Sequence, residues 1–392
     1  MKDNQAKYPQ LRFKGCTDPW EERKLTDITS SYSGLTYSPT DVQDKGTFVL
    51  RSSNVKNDQL VDADNVYVNP DIVNSNNVKV GDVIVVVRNG SRSLIGKHAI
   101  IIKEMPNTVI GAFMSAFRGQ NGDYINALLS TNNFQKEVHK SLGATINQIT
   151  GKDFSMMNFL TPKLEEQSKI GSFFKQLDDT IALHQRKLGL YKKLKKGYLQ
   201  KMFPKNGAKV PELRFAGFAD AWEQRKVSEL ADRYDNLRVP ITASERVAGE
   251  TPYYGANGIQ DYVESFTHNG EFVLVAEDGA NDLQNYPVQY VDGKVWVNNH
   301  AHVLQAKEER VDNKFLTNAL KHTNIEPYLV GGGRAKLNAD VMMKINFKVP
   351  TLPEQVQIGK FFDNLDHLIT LHQRKLEKLQ ELKKGYLQKM FC

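Results

Sequence analysis

Cysteine is scarce in this sequence: only Cys16 and Cys392 occur, near opposite ends of the chain. That scarcity excludes a disulfide framework or a cysteine-rich zinc site and fits a reducing compartment. No run approaches the roughly 18 apolar residues that a membrane helix requires, and residues 1–20 contain no apolar signal-peptide core. We therefore expect a cytoplasmic protein with no membrane partner.

Enzymatic motifs are missing as well. A methyltransferase would need a glycine-rich cofactor turn and an Asn-Pro-Pro or Asp-Pro-Pro element, which Asp18-Pro19-Trp20 resembles only superficially. The glycines at 331–333 lack the Gly-Lys-Ser/Thr of a phosphate-binding loop. Pro70-Asp71 has no Glu-x-Lys element at the spacing of a metal-dependent nuclease. We expect no catalytic residues, no cofactor and no metal, and the histidine pair at 300 and 302 is interpreted as a strand end.

A strong charge imbalance is also absent, since 52 Lys and Arg face 45 Asp and Glu for a net charge of +7. This modest excess is compatible with an anionic partner, because basic side chains neutralise phosphates. With 392 residues, the chain exceeds what one hydrophobic core usually serves, so two or three compact units are expected.

The sequence does contain a long internal repeat. Residues 164–203 and 352–391 align without a gap at an offset of 188, with 26 identities in 40 positions. A second repeat pairs residues 9–24 with 211–226, with ten identities in 16. The intervening inserts, Leu25 to Lys163 and Val227 to Thr351, have almost no similarity. A duplicated frame with divergent inserts predicts pseudo-twofold symmetry that presents two different surfaces.

The longer repeat has a sustained heptad pattern, which predicts a helix of about 37 residues and 55 Å in each copy. We expect the two copies to pack as an antiparallel pair. A seam histidine is interpreted as a polar register marker, and the lysine-rich stretches as a solvated face, a phosphate-contacting surface or a docking surface for a partner. The predicted seam consists of Ile170, Phe174, Leu177, Ile181, His184, Leu188, Tyr191, Lys195, Tyr198 and Met202, and in the second copy of Ile358, Phe362, Leu365, Ile369, His372, Leu376, Leu379, Lys383, Tyr386 and Met390.

Each insert combines strand-like runs with polar loops and helical stretches. The predicted strands are Thr47 to Leu50, Val83 to Val87, Ala99 to Ile102, Glu271 to Ala276 and Lys294 to Val297, and the predicted helices lie near Tyr124 to His139 and Asn313 to His322.

Polar side chains in these loops are the candidates for reading DNA bases, because Arg and Lys pair with guanine and Asn and Gln with adenine. Ordinary turn chemistry is the alternative for any single one of them. The candidates are Arg88, Asn89, Arg92, Arg118, Gln120 and Asn121 in the first insert, and Tyr253, Tyr254, Asn257, Asn281, Asn298, Asn299, His300, Arg334 and Lys336 in the second.

The repeated helices contain Leu-x-Glu-Gln, Phe-Phe-x-x-Leu-Asp, Leu-His-Gln-Arg-Lys-Leu and Leu-Lys-Lys-Gly-Tyr-Leu-Gln-Lys-Met-Phe. With two unlike inserts, this arrangement closely resembles the specificity subunits of type I restriction-modification systems over essentially the whole chain. The resemblance implies an α+β fold in which two mixed α/β target-recognition domains are joined by two long antiparallel helices that form a coiled-coil spacer.

The resemblance also implies a division of labour. Each recognition domain would read one half of a bipartite double-stranded DNA target, the helices would set the gap, and two modification subunits would dock on them. Restriction subunits would join this core, and S-adenosylmethionine would be bound by the modification subunit and not by this chain. The expected segments are residues 1–163, a first recognition domain; 164–203, the central helical repeat; 204–351, a second recognition domain; and 352–392, the C-terminal helical repeat. The alternatives are a stand-alone two-domain DNA-binding protein and a protein assembly scaffold.

Overall fold

A computed structural model describes residues 8–142, 147–205, 207–331 and 335–391 of the chain. The chain divides into two compact units: unit 1 comprises Met1–His184 with Lys375–Cys392, and unit 2 comprises Gln185–Arg374. Each of the two long helices therefore contributes one half to each unit. Among the described residues, no helix has the length and apolar character needed to cross a membrane.

Unit 1 begins with a short strand and contains most of the first insert. Its 3-10 turns are Pro39–Asp41, Ser52–Asn54, Pro70–Ile72 and Arg92–Leu94. Its strands and helices are β1 (Glu21–Lys24), α1 (Leu25–Ile28), β2 (Thr29–Ser33), β3 (Val42–Gln43), β4 (Thr47–Leu50), β5 (Val55–Lys56), β6 (Gln59–Leu60), β7 (Val66–Val68), β8 (Val83–Val86), β9 (His98–Ile100), β10 (Thr108–Ile110), β11 (Met114–Gly119), α2 (Gly122–Leu129), α3 (Asn132–Ser141), α4 (Gly151–Met156), β12 (Asn158–Thr161) and the first half of α5 (Leu164–Lys201).

Two four-stranded sheets form the body of unit 1. One has the order β2-β11-β8-β9 with every neighbour antiparallel, and the other has the order β10-β4-β7-β3 with β10 parallel to β4. All four residues of β8 are buried, which explains why this strand is an uninterrupted apolar run. β1 pairs with β12 and closes the insert just before α5 begins.

Unit 2 is built from the second insert in the same way. Its 3-10 turns are Asp235–Leu237, Ala243–Glu245 and Glu326–Tyr328. Its strands and helices are β13 (Glu223–Lys226), α6 (Val227–Leu230), β14 (Ala231–Arg233), β15 (Ala248–Gly255), β16 (Gly258–Val263), β17 (His268–Asn269), β18 (Phe272–Ala276), β19 (Val288–Val291), β20 (Lys294–Val297), β21 (Ala301–Ala306), α7 (Asn313–His322), β22 (Leu329–Val330), β23 (Lys336–Leu337), α8 (Ala339–Met342), β24 (Asn346–Val349) and the first half of α9 (Leu352–Met390).

The two inserts share the order of one sheet and a three-stranded part of the other, although their sequences do not resemble each other. In unit 2 one sheet has the order β14-β21-β18-β19, all antiparallel, and a second has the order β16-β15-β20-β17 with β15 parallel to β20. β13 pairs with β24, as β1 does with β12. The inserts therefore share this part of their fold as well as the frame.

Most of the predicted strands agree with the structure to within two residues. β4 and β20 have the predicted bounds, and α7 matches the helix predicted at Asn313 to His322. The region near Tyr124 to His139 is helical as predicted, and it is divided into two helices, α2 and α3. The helix is interrupted at Ser130 and Thr131, where the Thr131 hydroxyl accepts a hydrogen bond from the Phe134 N–H at 3.2 Å and caps α3.

Within each unit, one half of α5 runs antiparallel to one half of α9. In unit 1 the rings of Phe173 and Tyr386 lie 5.0 Å apart, edge to face. In unit 2 Tyr198 and Phe361 make the same contact, also at 5.0 Å. The Phe-Phe motif of each repeat therefore packs on the Gly-Tyr motif of the other, which explains why both are duplicated.

The seam lysines are paired across the helices. Lys195 Nζ lies 2.5 Å from Asp366 Oδ1 in unit 2, and Lys383 Nζ lies 2.8 Å from Asp178 Oδ1 in unit 1. Lys195 and Lys383 differ by the repeat offset of 188, as do Asp178 and Asp366. The two ion pairs are therefore equivalent, and they fix the register of the antiparallel helices. A heptad pattern alone did not reveal these carboxylate partners.

The predicted seam positions face the partner helix or the core. Leu177, His184 and Ile369 are half-buried. His372 stacks on Tyr191 with the ring centres 5.4 Å apart, an aromatic contact within the seam. The seam residues that are at most 8% exposed are Ile170, Phe174, Ile181, Leu188, Met202, Ile358, Phe362, Leu365, His372, Leu376 and Met390.

The shorter repeat docks on the start of each long helix. Arg12 pairs with Glu166 at 2.6 Å in unit 1, and Arg214 pairs with Glu354 at 2.7 Å in unit 2. Each arginine donates from two nitrogens, so the pairs are bidentate. The Leu-Arg-Phe motif thus anchors each insert to its helix.

Candidate DNA interface

The polar loop that follows β8 lies at the surface of unit 1. Arg88 is exposed, and its guanidinium carbon lies 5.2 Å from the centre of the Phe113 ring. The backbone N–H groups of Val87 and Arg88 both donate to the Phe113 carbonyl, at 2.9 and 3.2 Å. These bonds fix the loop to the connection between β10 and β11 and leave the side chains of Arg88 and Phe113 at the surface.

The rest of this loop is held by its own polar groups. Asn89 accepts the Ser91 N–H at 3.0 Å, which makes an Asx turn, and Asn147 donates to the Gly90 carbonyl at 3.1 Å. Arg92 is exposed at the start of a 3-10 turn. The three residues predicted on this loop therefore lie together, with Asn89 partly committed to turn formation.

Arg118 lies at the other end of the same sheet, because β11 runs antiparallel to β8. Its guanidinium donates to both carboxylate oxygens of Asp82, at 2.7 and 2.6 Å, and lies over the Tyr32 ring at 5.1 Å. Burial would raise the pKa of Asp82, but hydrogen bonds from Arg118 and the Lys79 N–H hold that pKa below its usual value. Arg118 thus has an ionic partner within the fold.

Asn121 also stabilises the fold at this end. Its Oδ1 accepts the Tyr124 N–H at 2.9 Å and caps α2, while its Nδ2 donates to Ser168 Oγ on α5 at 3.2 Å. Gln120 is exposed next to this cap. The six candidates of the first insert therefore form two separate groups, one on the loop after β8 and one near α5.

In unit 2 the candidates gather around the loop that follows β18. Asn257 donates to the Gly279 carbonyl at 2.9 Å and accepts the Asn281 N–H at 2.9 Å, which joins two loops. Both asparagines are exposed. The geometry brings together residues that are more than 20 positions apart in the sequence.

The connection between β20 and β21 completes this surface. Asn298 is buried and accepts the His300 N–H at 2.8 Å, while His300 Nδ1 lies 2.5 Å from Asp278 Oδ1. Asn299 is exposed between them. Lys336 is exposed on β23, which forms a backbone bridge with Asp278. His300, Asn299 and Lys336 therefore lie close to the loop after β18.

Two candidate tyrosines belong to the interior. Tyr253 is 1% exposed, its hydroxyl donates to the Ile241 carbonyl at 3.2 Å, and Arg246 lies over its ring at 4.2 Å. Tyr254 is half-buried, and burial raises the pKa of its hydroxyl. Arg334 lies outside the described residues.

A charged network lies beneath the surface of unit 2. Asp235 and Glu277 flank His302, whose Nδ1 lies 2.7 Å from Asp235 Oδ2. Arg238 and Lys336 pair with Glu277 at 2.6 and 3.0 Å. Burial would raise the pKa of Glu277, but hydrogen bonds from these two cations lower it below its usual value. The network ties β23 and the loop after β18 to the sheet.

Three of these groups, Asp235, Glu277 and His302, are close enough to hold a metal ion, because their ligand atoms lie within 4.8 Å of one another. The hydrogen-bond contacts of His302 do not favour a bound metal ion. His302 Nε2 lies 2.8 Å from the Leu337 carbonyl oxygen and Nδ1 faces a carboxylate, so each contact needs a proton on the ring nitrogen. A metal ligand requires an unprotonated nitrogen, and Arg238 already compensates the carboxylate charge.

Three surface residues near these loops were not among the candidates: Phe113, Gln148 and Asp278. An apolar residue beside a strand is ordinarily interpreted as core, yet Phe113 is 52% exposed. Gln148 is half-exposed, and its backbone forms an isolated antiparallel bridge with that of Arg88. No local pattern marks these positions, since their neighbours come from distant segments.

The family described as the type I restriction modification DNA specificity domain matches residues 17–190 and 219–381. The chain belongs to this family. Each match covers one insert and much of the helix that follows it. The family confirms the resemblance seen in the repeated motifs, and with it the expectation of a specificity subunit without a catalytic site of its own.

Similar proteins fall in the same class. A predicted type I restriction enzyme specificity subunit from Haemophilus influenzae is 47% identical over 146 residues, which cover 37% of this chain and only 38% of that relative. The StySPI specificity subunit of Salmonella potsdam is 22% identical over 386 residues, covering 88% of this chain and 82% of the relative. A type I S subunit from M. genitalium shares the fold, with a TM-score of 0.75 at 16% identity over 98% of this chain and 99% of that one.

Proposed function

We propose that this chain reads a split double-stranded DNA target within a type I restriction-modification complex, one half-site per unit. The observation that carries the proposal is that one antiparallel sheet has the same strand order in both inserts, β2-β11-β8-β9 and β14-β21-β18-β19, while the surface loops at its end are unlike. Arg88 and Phe113 occupy in unit 1 the place that Asp278 and His300 occupy in unit 2. Two modules of the same architecture with different contact chemistry suit a target whose halves differ in sequence.

The helices would set the gap between the half-sites. The antiparallel register is fixed by ion pairs and aromatic contacts within each unit, so the spacer is suited to a constant length. Two linked modules also bind much more tightly than either one alone, because the second contact is intramolecular.

The repeated helices would also dock two modification subunits. Leu183 and Leu371 occupy equivalent positions, as do Leu194 and Leu382, and all four are 36–44% exposed. Apolar side chains exposed at matched positions of both repeats suit two copies of one partner. That partner would bind S-adenosylmethionine and flip the target base, since a base inside a duplex is out of reach. Restriction subunits would join this core, and this chain would bind no cofactor.

The test is to map adenine methylation across a genome in cells that contain the cognate modification subunits, with and without this chain. We expect methylation at a split motif only when the chain is present. Cells with modification subunits alone are the control. Methylation that does not depend on the chain would contradict the proposal. Sequence-specific DNA retention by the chain alone would then favour a stand-alone binder, and partner copurification without DNA retention would favour a scaffold.

A further inference from the structure

Equivalent residues of the two inserts can be identified from matching backbone hydrogen bonds next to β8 and β18. The N–H that follows β8 belongs to Val87 and donates to the Phe113 carbonyl at 2.9 Å. The N–H that follows β18 belongs to Glu277 and donates to the His300 carbonyl at 2.8 Å. Phe113 and His300 are therefore equivalent residues, each directly before the strand that pairs with β8 or β18.

In both units, a further extended segment pairs with the residues that directly follow β8 or β18. The Ile149 N–H donates to the Val87 carbonyl at 2.9 Å, and the Leu337 N–H donates to the Glu277 carbonyl at 2.7 Å. One residue earlier, Gln148 forms an antiparallel bridge with Arg88, and Lys336 forms one with Asp278. Arg88, Phe113 and Gln148 in unit 1 thus correspond to Asp278, His300 and Lys336 in unit 2.

The side chains at these equivalent positions differ completely. Unit 1 presents a guanidinium over a phenyl ring, and Gln148 lies on the segment whose backbone is bridged to Arg88. Unit 2 presents a carboxylate bonded to an imidazole, and Lys336 lies on the bridged segment, where its ammonium pairs with Glu277 at 3.0 Å. The backbone is constant and the chemistry changes, which is what a reading position in a duplicated recognition domain requires.

We infer that these three equivalent positions are the specificity-determining triplet of each recognition domain. The inference rests on the proposed function and deepens it by naming the contacts. In unit 1 Arg88 donates to guanine O6 and N7, Gln148 pairs with adenine, and Phe113 contacts a thymine methyl group. In unit 2 Asp278 accepts from the cytosine amino group and Lys336 donates to guanine.

Phe113 gives the inference its sharpest support. Its backbone is fixed by two accepted hydrogen bonds, yet 52% of the residue is exposed, so the ring contributes little to the core. An exposed ring on a fixed backbone loses less entropy when it meets a base than one on a mobile loop, which favours binding. Arg88 over the ring is likewise oriented before contact.

The test uses the full chain with its cognate modification subunits and the same genome-wide methylation map. R88A, F113A and Q148A are compared with the wild type and with two controls in unit 1, I102A and R23A. Ile102 is 66% exposed and follows β9, and the Arg23 side chain is 49% exposed on β1. Thermal unfolding of each variant checks that the fold is kept.

We expect each triplet variant to relax one base position in a single half-site, with discrimination reduced roughly 5- to 150-fold. The other half-site and the gap stay unchanged, as does the whole motif in both controls. K336A relaxes the opposite half-site. A motif unaltered in all three unit 1 variants that fold, or altered in both halves by one of them, overturns the triplet while the proposed function stands. A wild-type chain that directs no split motif overturns both.

Discussion

The two equivalent cross-helix lysines should differ in their contribution to stability, although each is the same residue in the same repeat. Lys383 lies between two carboxylates, Asp178 at 2.8 Å and Asp58 at 3.4 Å, and its side chain is 12% exposed. Lys195 pairs with Asp366 at 2.5 Å, and Lys321 packs close by as a second cation. We predict that K383M costs much more than K195M.

The loss of folding free energy in each variant depends on which charges remain without a partner after the substitution. K383M leaves two neighbouring carboxylates without a countercharge, of which Asp178 is mostly buried. Removing one partner of a buried ion pair costs about 3–5 kcal/mol, and removing one partner of an exposed pair costs about 0–1 kcal/mol. Because the Lys383 site lies between these two cases, we expect K383M to lower the free energy of unfolding by about 2–3 kcal/mol. K195M leaves Lys321 to neutralise Asp366 and relieves a repulsion between two lysines, so its cost is about 1 kcal/mol or less.

Urea unfolding at pH 7 followed by tryptophan fluorescence measures both costs, with Trp20 in unit 1 and Trp222 in unit 2 as reporters. A pH series adds an internal check. Burial raises the pKa of Asp178 and Lys383 opposes that rise, so removing Lys383 raises this pKa further. The folded variant then binds a proton more tightly than the unfolded chain, and its deficit should shrink as the pH falls from 7 towards 5. Equal costs for the two variants, or a deficit independent of pH, would show that Lys383 does not compensate two carboxylates as described.

Two further predictions concern stability. Burial and the neighbouring Lys195 lower the pKa of Lys321 to about 8, from an ordinary 10.5. Above pH 8 the unfolded chain therefore holds more protons at this lysine than the folded chain does. The free energy of unfolding should rise from pH 8 to 10. K321M should remove that slope and stabilise unit 2 at pH 7 by up to about 3 kcal/mol, and an unchanged slope in urea unfolding would disprove this. G171A should destabilise by about 1–3 kcal/mol, since its Cβ would meet the Tyr124 backbone nitrogen at 2.7 Å. G189A, which meets nothing within 4 Å in the same helix, should instead stabilise by about 1 kcal/mol, and similar thermal shifts would contradict the packing argument.

The long helices could be predicted because their signal is strong and local. A heptad pattern over 40 residues, present twice, indicates both helix and partner. The ion partners of Lys195 and Lys383 could not be assigned in the same way, because the pattern shows which positions face inward but not which charges meet.

The common topology of the inserts was not predictable from sequence similarity. The sheets are held by backbone hydrogen bonds and by buried apolar runs such as β8 and β18, and many different residues satisfy both. Equivalence is visible only in the bonds themselves, such as those that place Phe113 and His300 alike.

The surface position of the candidate loops was predictable from the sequence, whereas the contacts of single candidate residues were not. Arg118 looks like a base-reading side chain, yet its partner Asp82 lies 36 positions away in the chain and across the sheet. Asn121 carried a local signal that could have been used, since an asparagine before a buried helix is a common N-cap. Burial of Tyr253 depends on tertiary packing, which residue type does not reveal.

Exchanging one recognition domain is the most direct test of modular reading by two units. Residues 25–163 are replaced with the corresponding insert of another specificity subunit, keeping both helical repeats, and adenine methylation is mapped in cells with the cognate modification subunits. We expect one half of the methylated motif to change while the other half and the gap between them remain. A motif that stays unchanged, or one in which both halves change together, would contradict modular reading by two units.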